Sequence, residues 1–548
     1  MGKKHLVRRI WLGLCVAVLV IGTAFLGYLE KNTCMGLFWS DQPRGSKTLQ
    51  VGEDFTLTLS GSALPRDENG VYYISQSMDR EGWEGRLETQ SRGIRLTWAR
   101  DDAFRDKNAA IRDQHLFTIY LQKGQEWGEI QVLFTGLPIM TLNSEYSRVF
   151  QEETGEEELF VGEMVLFDPD SSETYTVTTS QAVYRVRGAK SASHYPKVGY
   201  KLNLVKANGN NRHLSLLGMP ADDDWIIRGL FTDPQKVREQ VASDLWNDLV
   251  ADSPVNLQCS QVQYMELFLE GEYYGLVGLM PRTDGKSLSL GGEDILYKNT
   301  ATQLDLDWDK AVGRDTLYQE GTVWQEDVSN PEEVESRKVR LIQCPTSLLG
   351  TGEEWAPLRF LWENLYGESS PPDPQLLEEN FSLENLIDFA LFKQVTYAAD
   401  NEPNNMFFLA KREGDDYRIY YIPWDLDYTF GNVGLESAEN FRRFKEEGAE
   451  VLADNGLLET LIAADPDRVI PMVQERWAQL REGIFDTQDL LDRFEISMVP
   501  LLESGAFDRD SLRWPAEAND RDLSPIYSYL SDRMDFLDSY INGLGQEW

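Results

Sequence analysis

The spacing of apolar residues changes along the chain, from a two-residue alternation to a helical repeat. Short alternating runs such as GVYYISQSM and LFTIYLQKG fill residues 46–136, separated by Gly, Asp and Asn. This pattern is typical of a small β-sandwich or barrel. Residues 434–545 instead carry amphipathic repeats such as RVIPMVQERWAQLREGIF, which predict helices. Because 548 residues are too many for one core, we expect more than one domain.

The middle of the chain mixes the two patterns. Strand patterns cover 163–168, 173–180, 182–188 and 199–205, a helix is predicted over 233–250, and a hairpin over 263–280 turns at Glu270 and Gly271. Residues from about 300 to 380 are acidic, rich in Trp and weakly patterned, which favours an insertion. The expected fold class is α+β: a main domain over 137–545 with a helical tail at 434–545, preceded by a small all-β domain at 46–136.

The N-terminus carries a targeting signal. Residues 1–9, MGKKHLVRR, are basic, and residues 10–28 contain no charged side chain. Such an apolar stretch can just span a bilayer as a helix. The basic flank is expected to stay in the cytoplasm. The sequence therefore predicts a single-pass membrane protein, anchored by an N-terminal transmembrane helix, with its bulk extracytoplasmic.

Charge and residue usage exclude several classes of function. The net charge of −39 argues against nucleic acid as a partner, because phosphate backbones are bound by basic surfaces. No histidine follows His213, so a Ser-His-Asp site in the C-terminal half is excluded. No cysteine pair has the spacing of a metal site, and a disulfide between Cys259 and Cys344 is left open.

A helix, a loop and a hairpin bring polar residues together at 381–432. The helix runs over 381–400 with Ser382 as its cap, and the hairpin pairs 406–412 with 417–425 around Gly414. This pairing places Asn405 beside Asp425, and the helix delivers Asp400 to the same end. Carboxylate and amide oxygens suit Mg²⁺ or Mn²⁺. The spacing Asp-x-x-x-x-Asn from Asp400 to Asn405 is also the one that kinase-type phosphotransferases use.

A basic segment stands out in this acidic chain. Residues 183–206 contain Arg185, Arg187, Lys190, Lys197 and Lys201 around a Gly/Ser loop. Positive charge there would attract a polyphosphate despite the repelling net charge. The alternative is an exposed basic hairpin without a ligand.

Several of these motifs resemble one family, in its order along the chain. The quoted segments are RGAKSASHYPKVGYKLNL (187–204), DDWIIRGLFTDPQKVREQVASDLW (223–246), MELFLEGEYYGLVGLM (265–280), DNEPNNMFFL (400–409) and IPWDLDYTFGN (422–432). They resemble the CotH family, the spore-coat-protein-H-like atypical kinases. The resemblance covers residues 137–545 and leaves the all-β region and the anchor outside.

The resemblance implies a kinase-like fold that uses ATP with Mg²⁺ or Mn²⁺. The reaction implied is transfer of the γ-phosphoryl group to Ser or Thr of a protein, such as a spore or cell-surface protein. By position, Asp400 is the catalytic residue, and Asn405, Asp425 and, in a supporting role, Asp427 hold the metal. Lys197, then Lys201, together with Arg187, are the nucleotide-binding candidates.

One departure keeps a second function open. Pro281 occupies a position where the family has Glu, which motivates a non-catalytic, pseudokinase-type surface scaffold as the alternative. A carbohydrate hydrolase ranks last, because Asp425 and Asp427 on one strand would be too close together to flank a glycosidic bond.

Overall fold

The structure, a computed structural model, describes residues 33–52, 55–103, 105–152, 155–170, 175–187, 195–299, 339–367, 369–398, 401, 404–432, 456–515 and 519–546. The predicted cytoplasmic segment 1–9, the predicted anchor 10–28 and Asp400 lie outside these residues. Within the described ranges, no helix combines the length and the apolar character needed to cross a bilayer.

The N-terminal region is built almost entirely of short strands. The elements are β1 Thr33–Cys34, β2 Leu37–Ser40, β3 Ser46–Lys47, β4 Leu57–Leu59, β5 Ser62–Ala63, β6 Tyr72–Ser75, β7 Leu87–Thr89, β8 Arg95–Ala99, helix α1 Lys107–Arg112, β9 Leu116–Lys123 and β10 Glu126–Thr135. The larger sheet has the order β1-β2-β8-β9-β10-β3 with β6 also on β10, and β5-β4-β7 form a smaller one. Alternation along β9 buries Phe117, Ile119 and Leu121, which join a core around Trp98.

The next strands close into a barrel. They are β11 Ile139–Glu152, β12 Gly155–Asp168, β13 Thr176–Arg187, β14 Gly199–Val205, β15 Asp224–Arg228, β16 Gln263–Leu269 and β17 Glu272–Pro281, with helix α2 Arg238–Leu249 between β15 and β16. Their order is β11-β12-β13-β14-β15-β17-β16, and β11 pairs with β16 in parallel to close the ring. The single strand β13 replaces the two strands predicted at 173–180 and 182–188. The turn predicted at Glu270 and Gly271 is confirmed, and both residues have the left-handed backbone that a two-residue hairpin turn needs.

A four-stranded sheet lies beyond the barrel. It contains β18 Ile295–Asn299, β19 Val339–Gln343, β20 Met406–Glu413 and β21 Asp416–Pro423, in the order β19-β18-β20-β21. Helices α3 Ala356–Leu365 and α4 Pro374–Asn380 lie between β19 and β20 in the chain. Leu358, Leu361 and Trp362 of α3 are buried in the largest hydrophobic core. Residues 339–365 therefore belong to that core, although the sequence suggested an insertion there; residues 300–338 lie outside the described ranges.

The C-terminal part is helical, as predicted. Its elements are α5 Leu383–Thr396, α6 Gly456–Ala464, α7 Pro466–Arg481, α8 Thr487–Glu503, α9 Ala506–Arg513 and α10 Ser524–Gly543. Helix α5 ends four residues before Asp400, because Tyr397 takes a left-handed backbone that stops the helix. Ser382 stands at the N-cap of α5, but its side chain makes no capping hydrogen bond. Cys259 and Cys344 are both free, so no disulfide joins them.

The N-terminal sheets and the barrel share one hydrophobic core. Phe268 and Tyr273 of the barrel pack against Tyr73 of β6, with ring centroids 5.1 and 5.4 Å apart. Arg509 of α9 adds a polar link, donating to Glu266 of β16 at 2.8 and 2.9 Å and to the hydroxyl of Thr135 in β10 at 2.9 Å. The N-terminal region is thus docked on the barrel through both apolar and ionic contacts.

Candidate active site

The hairpin of β20 and β21 ends where the sequence placed the polar cluster. The two strands pair from Met406 with Pro423 to Glu413 with Asp416, so the turn includes Gly414 as predicted. Beyond the last pair, the amide of Trp424 donates to the carbonyl of Asn405 at 3.0 Å. The prediction that Asn405 lies beside Asp425 therefore agrees with the hairpin register. Both residues have left-handed backbones, with φ of 50° and 64°, which Asn and Asp tolerate better than most residues.

Asp425 and Asp427 are not on the strand, as the sequence analysis assumed. Strand β21 ends at Pro423, and both aspartates lie in the turn that follows it. The strand cannot continue because of the left-handed backbone at Asp425. The two carboxylates therefore do not project from one face of a strand, and the prediction that they do is wrong.

Arg228, the last residue of β15, joins three carboxylates. Its Nη1 lies 2.5 Å from Oδ1 of Asp425, its Nε 2.7 Å from Oε2 of Glu239, and its Nη2 3.6 Å from Oδ1 of Asp427. Asp427 also accepts a hydrogen bond of 2.5 Å from the hydroxyl of Thr232. The barrel, helix α2 and the hairpin thus meet at one guanidinium group.

The surroundings of this cluster shift the pKa values of Asp425 and Asp427 in opposite directions. Burial by itself would raise the pKa of Asp425, but Arg228, Arg187 and Lys298 together hold that pKa below its ordinary value. Burial and the neighbouring Asp425 raise the pKa of Asp427 to about 6, against the pull of Arg228. The side chain of Asp425 is also 30% exposed, compared with 18% for Asp427. Asp425 is therefore the ionised carboxylate that a ligand can reach.

Two further cations contact the ring of Trp424. The Nζ of Lys298, on β18, lies 4.1 Å from the centre of the Trp424 ring, and the Cζ of Arg187, on β13, lies 5.3 Å from it. Cations are attracted to the face of an indole ring. The ring therefore holds positive charge next to Asp425, where a polyphosphate could be neutralised.

An asparagine that the sequence analysis did not select completes this end of the hairpin. Asn401 is 1% exposed, and its Nδ2 donates to the carbonyls of Asn405 and Trp424 at 2.9 and 2.7 Å. Its Oδ1 is buried and has no hydrogen-bond partner among the described residues. A buried amide oxygen without a partner, close to an ionised carboxylate, fits the oxygen ligands of Mg²⁺ or Mn²⁺. The donor set is therefore compatible with the divalent ion that the resemblance implies.

The lysine predicted as the first nucleotide contact lies elsewhere. Lys197 is fully buried and forms an ion pair with Asp510 of α9, with Nζ 2.7 and 2.8 Å from the two carboxylate oxygens. Lys236 approaches the same carboxylate at 3.4 Å, and the amide of Leu276 donates to it at 2.8 Å. This arrangement joins α9 to the barrel and buries the ammonium group of Lys197, so the structure does not support Lys197 as a nucleotide contact.

Lys201 lies within electrostatic range of Lys298. It lies on β14, and burial together with repulsion by Arg282 lowers its pKa well below the ordinary value. Lys298 is among the groups that repel it, so Lys201 lies within electrostatic range of the Trp424 cations. Arg187 contacts the ring of Trp424 at the end of the hairpin.

The remaining functional side chains could not be selected from the sequence. Arg228, Glu239 and Lys298 lie on three elements that are far from the hairpin in the chain, and nothing in their own segments marks them. The available signal was position, since Arg228 and Glu239 both fall inside the segment 223–246 that resembles the family.

Comparison with known proteins agrees with the motifs. A protein-family model described as CotH kinase protein matches residues 184–542, and no curated protein matches the chain. The match covers more than half of the chain and includes β14, α2, the hairpin and all helices of the C-terminal part that the structure describes. The chain therefore belongs to the CotH kinase family.

Proposed function

We propose that this protein is an extracytoplasmic, metal-dependent kinase that transfers the γ-phosphoryl group of ATP to Ser or Thr of a protein. The observation that carries the proposal is the partly exposed, ionised carboxylate of Asp425, surrounded by Arg228, Arg187 and Lys298. Phosphoryl transfer depends on positioning and charge neutralisation more than on covalent chemistry, and this cluster supplies both.

The residues divide into roles by chemistry and position. Asp425, with the amide oxygens of Asn401 and Asn405, would hold Mg²⁺ or Mn²⁺. When bound, that ion neutralises phosphate charge and orients the γ-phosphoryl group. Asp400, which lies outside the described residues, would orient the attacking hydroxyl. Asp427 would act through its bonds to Arg228 and Thr232, by holding the turn that carries Asp425.

The cations would bind the phosphates. Lys298 and Arg187 both contact the ring of Trp424 and lie within electrostatic range of Asp425. A phosphate chain that bridged these cations and a metal ion on Asp425 would be neutralised from both sides. Lys298 takes the role that the sequence analysis gave to Lys197.

Turnover measurements test the proposal. With Mg²⁺ or Mn²⁺, the purified chain is expected to convert ATP to ADP and to phosphorylate Ser or Thr, on itself or on an added protein. Asp425→Asn and Asp400→Ala are each expected to lower turnover by about a hundredfold or more, because charge stabilisation of several kcal/mol is lost.

Asp415 provides the matched control. It is a fully exposed aspartate in the turn of the same hairpin, so Asp415→Asn should leave turnover unchanged. Equal turnover in Asp425→Asn and Asp415→Asn would rule out the assignment.

The location of the protein is part of the proposal. The apolar stretch at 10–28 would anchor the chain, with residues 1–9 in the cytoplasm. The chain should then stay in membranes after alkaline extraction and be digested by protease added outside intact spheroplasts. A chain that begins at residue 33 should be released from the membrane.

A non-catalytic scaffold is the second candidate. Two observations favour it: Pro281 replaces a Glu of the family, and Arg228 already pairs with Asp425 and could compete with a metal. Glu239 argues the other way, because it supplies a buried carboxylate to the cluster from α2. Thermal unfolding with ATP and Mn²⁺ separates the two, since a ligand that binds only the native state raises the melting temperature.

A further inference from the structure

A second group of metal-type ligands lies on the barrel, in the connection between β14 and β15. His213, Asp222 and Asp223 each offer one ligand atom, and these atoms lie within 4.8 Å of one another. The backbone explains why they meet. Leu214 and Asp222 form an antiparallel bridge, with amide-to-carbonyl distances of 3.0 and 3.1 Å in the two directions. Their neighbours His213 and Asp223 are therefore held opposite each other.

The hydrogen bonds of this cluster leave acceptors unused. Oδ1 of Asp222 accepts the amides of Asp223 and Asp224, at 2.7 and 3.2 Å. Among the described residues, Oδ2 of Asp222 and Oδ2 of Asp223 accept no hydrogen bond. These aspartates are only 5% and 1% exposed. These two carboxylate oxygens therefore keep lone pairs that a bound cation could use.

The imidazole shows which kind of cation would fit. Nδ1 of His213 lies 3.1 Å from Oδ1 of Asp223, a separation that two ligands of one metal ion can have. The His213 side chain is 49% exposed, so it can rotate by the small amount needed to bring all three ligands within bonding distance. One imidazole with two carboxylates suits Zn²⁺ and similar transition metals, whereas Mg²⁺ prefers oxygen ligands alone.

One cation competes for the cluster. Nζ of Lys286 lies 3.3 Å from Oδ1 of Asp223, and the lysine side chain is 37% exposed. Because it is a flexible side chain at the surface, it can leave when a divalent ion enters. Its ammonium group would weaken metal binding without preventing it.

We propose that His213, Asp222 and Asp223 form a Zn²⁺ site, with water as the fourth ligand. The bound ion would fix the connection at residues 206–222 to the edge of the barrel. This site shares no residue with the Asp425 cluster and does not depend on phosphoryl transfer.

Equilibrium dialysis of the purified full chain against Zn²⁺ tests the proposal, with excess Mg²⁺ present to occupy oxygen-only sites. The wild-type chain is expected to hold one more equivalent of Zn²⁺ than His213→Ala. Asp223→Asn, which keeps the size of the side chain, should lose the same equivalent, and circular dichroism checks that both variants are folded. Lys286→Met should bind Zn²⁺ more tightly than the wild type.

His115 gives a matched control. It also contacts an aspartate, with Nε2 2.7 Å from Oδ1 of Asp102, but this pair is not part of a three-ligand cluster among the described residues. His115→Ala should therefore keep the full complement of Zn²⁺, and so should Asp425→Asn. The proposal is overturned if the wild type binds no Zn²⁺, if His213→Ala retains the full complement, or if His115→Ala loses as much as His213→Ala. None of these readouts depends on ATP, so kinase activity and zinc binding can fail independently.

Discussion

Lys298 lies over the ring of Trp424 and within electrostatic range of Asp425, and the proposed function makes it a phosphate contact. Lys298→Ala is expected to raise the KM for ATP by about tenfold or more, since a hydrogen bond to a charged group contributes about 1.5–3 kcal/mol. Steady-state kinetics over a range of ATP concentrations measures this. Lys411→Ala is the control, because Lys411 lies in the same sheet but pairs with Asp294 at 3.5 Å. A KM unchanged by Lys298→Ala would exclude Lys298 from the nucleotide site.

Arg228 is the only guanidinium that contacts Asp425, Asp427 and Glu239 together among the described residues. Arg228→Met is expected to lower the free energy of unfolding by about 3–5 kcal/mol, because it leaves partly buried carboxylates without their counter-charge. Urea unfolding measures the change. Arg468→Met is the control, since it breaks only an exposed pair with Glu378 and should cost less than about 1 kcal/mol. Similar losses in the two variants would contradict the structural role given to Arg228.

The sequence predicted the residues that lie next to each other through the hairpin. Asn405 and Asp425 could be placed because antiparallel register follows from the position of the turn. Arg228 and Lys298 could not, because their approach depends on how the barrel and the second sheet pack together. Lys197 was predicted as a nucleotide contact for a related reason. Its partner Asp510 lies on α9, and a sequence does not show which lysine is buried against a distant acid.

Helix α2 contains the half-buried Asp244, which destabilises the folded protein by an amount that depends on pH. Burial, with Asp248 nearby, raises the pKa of Asp244 to about 6, above its value in an unfolded chain. The folded state therefore binds this proton more tightly, and the resulting stability is lost as pH rises through about 6. Asp244→Asn is expected to raise the melting temperature more at pH 8 than at pH 5. Equal shifts at the two pH values would show that Asp244 is not desolvated.

Helices and strands with a strong hydrophobic repeat were predicted correctly, but the residues at which they begin and end were predicted less accurately. Helix α5 was expected to reach Asp400, but the left-handed backbone of Tyr397 ends it earlier, and tyrosine gives no signal for that conformation. Strand β13 was predicted as two strands, although the chain continues through Ser180 and Gln181 without a break in pairing. Residues 339–365 were assigned to an insertion, although α3 is amphipathic, with Leu358 and Leu361 buried and Glu363 exposed.

At the scale of the whole molecule, the N-terminal sheets and the barrel depend on each other. A chain that begins at residue 137 would expose Phe268 and Tyr273 and would leave Arg509 without its bond to Thr135. We expect this shortened chain to melt at a lower temperature and to aggregate, as measured by calorimetry and size-exclusion chromatography. A chain that begins at residue 33 is the control and should melt like the full protein. Identical melting temperatures of both shortened chains would mean that the shared core contributes nothing to the stability of the barrel.

The class of the fold could be predicted from the sequence, but the closure of the barrel could not. Alternating runs predicted strands and the C-terminal repeats predicted helices, which together give the observed mixed α+β architecture. The parallel contact between β11 and β16 that closes the barrel joins segments more than a hundred residues apart. No local pattern encodes such a contact, since it depends on the curvature of all seven strands.

The buried carboxylate of Asp510 has a consequence for how relatives of this protein can differ in sequence. A β-carbon at Gly275 would lie 2.2 Å from Oδ1 of Asp510, so position 275 must remain glycine as long as the aspartate is present. Lys197 and Lys236 would lose their counter-charge if the aspartate were replaced. These four positions, on segments far apart in the chain, are therefore expected to change together or not at all, and an alignment of relatives should show them as a covarying set.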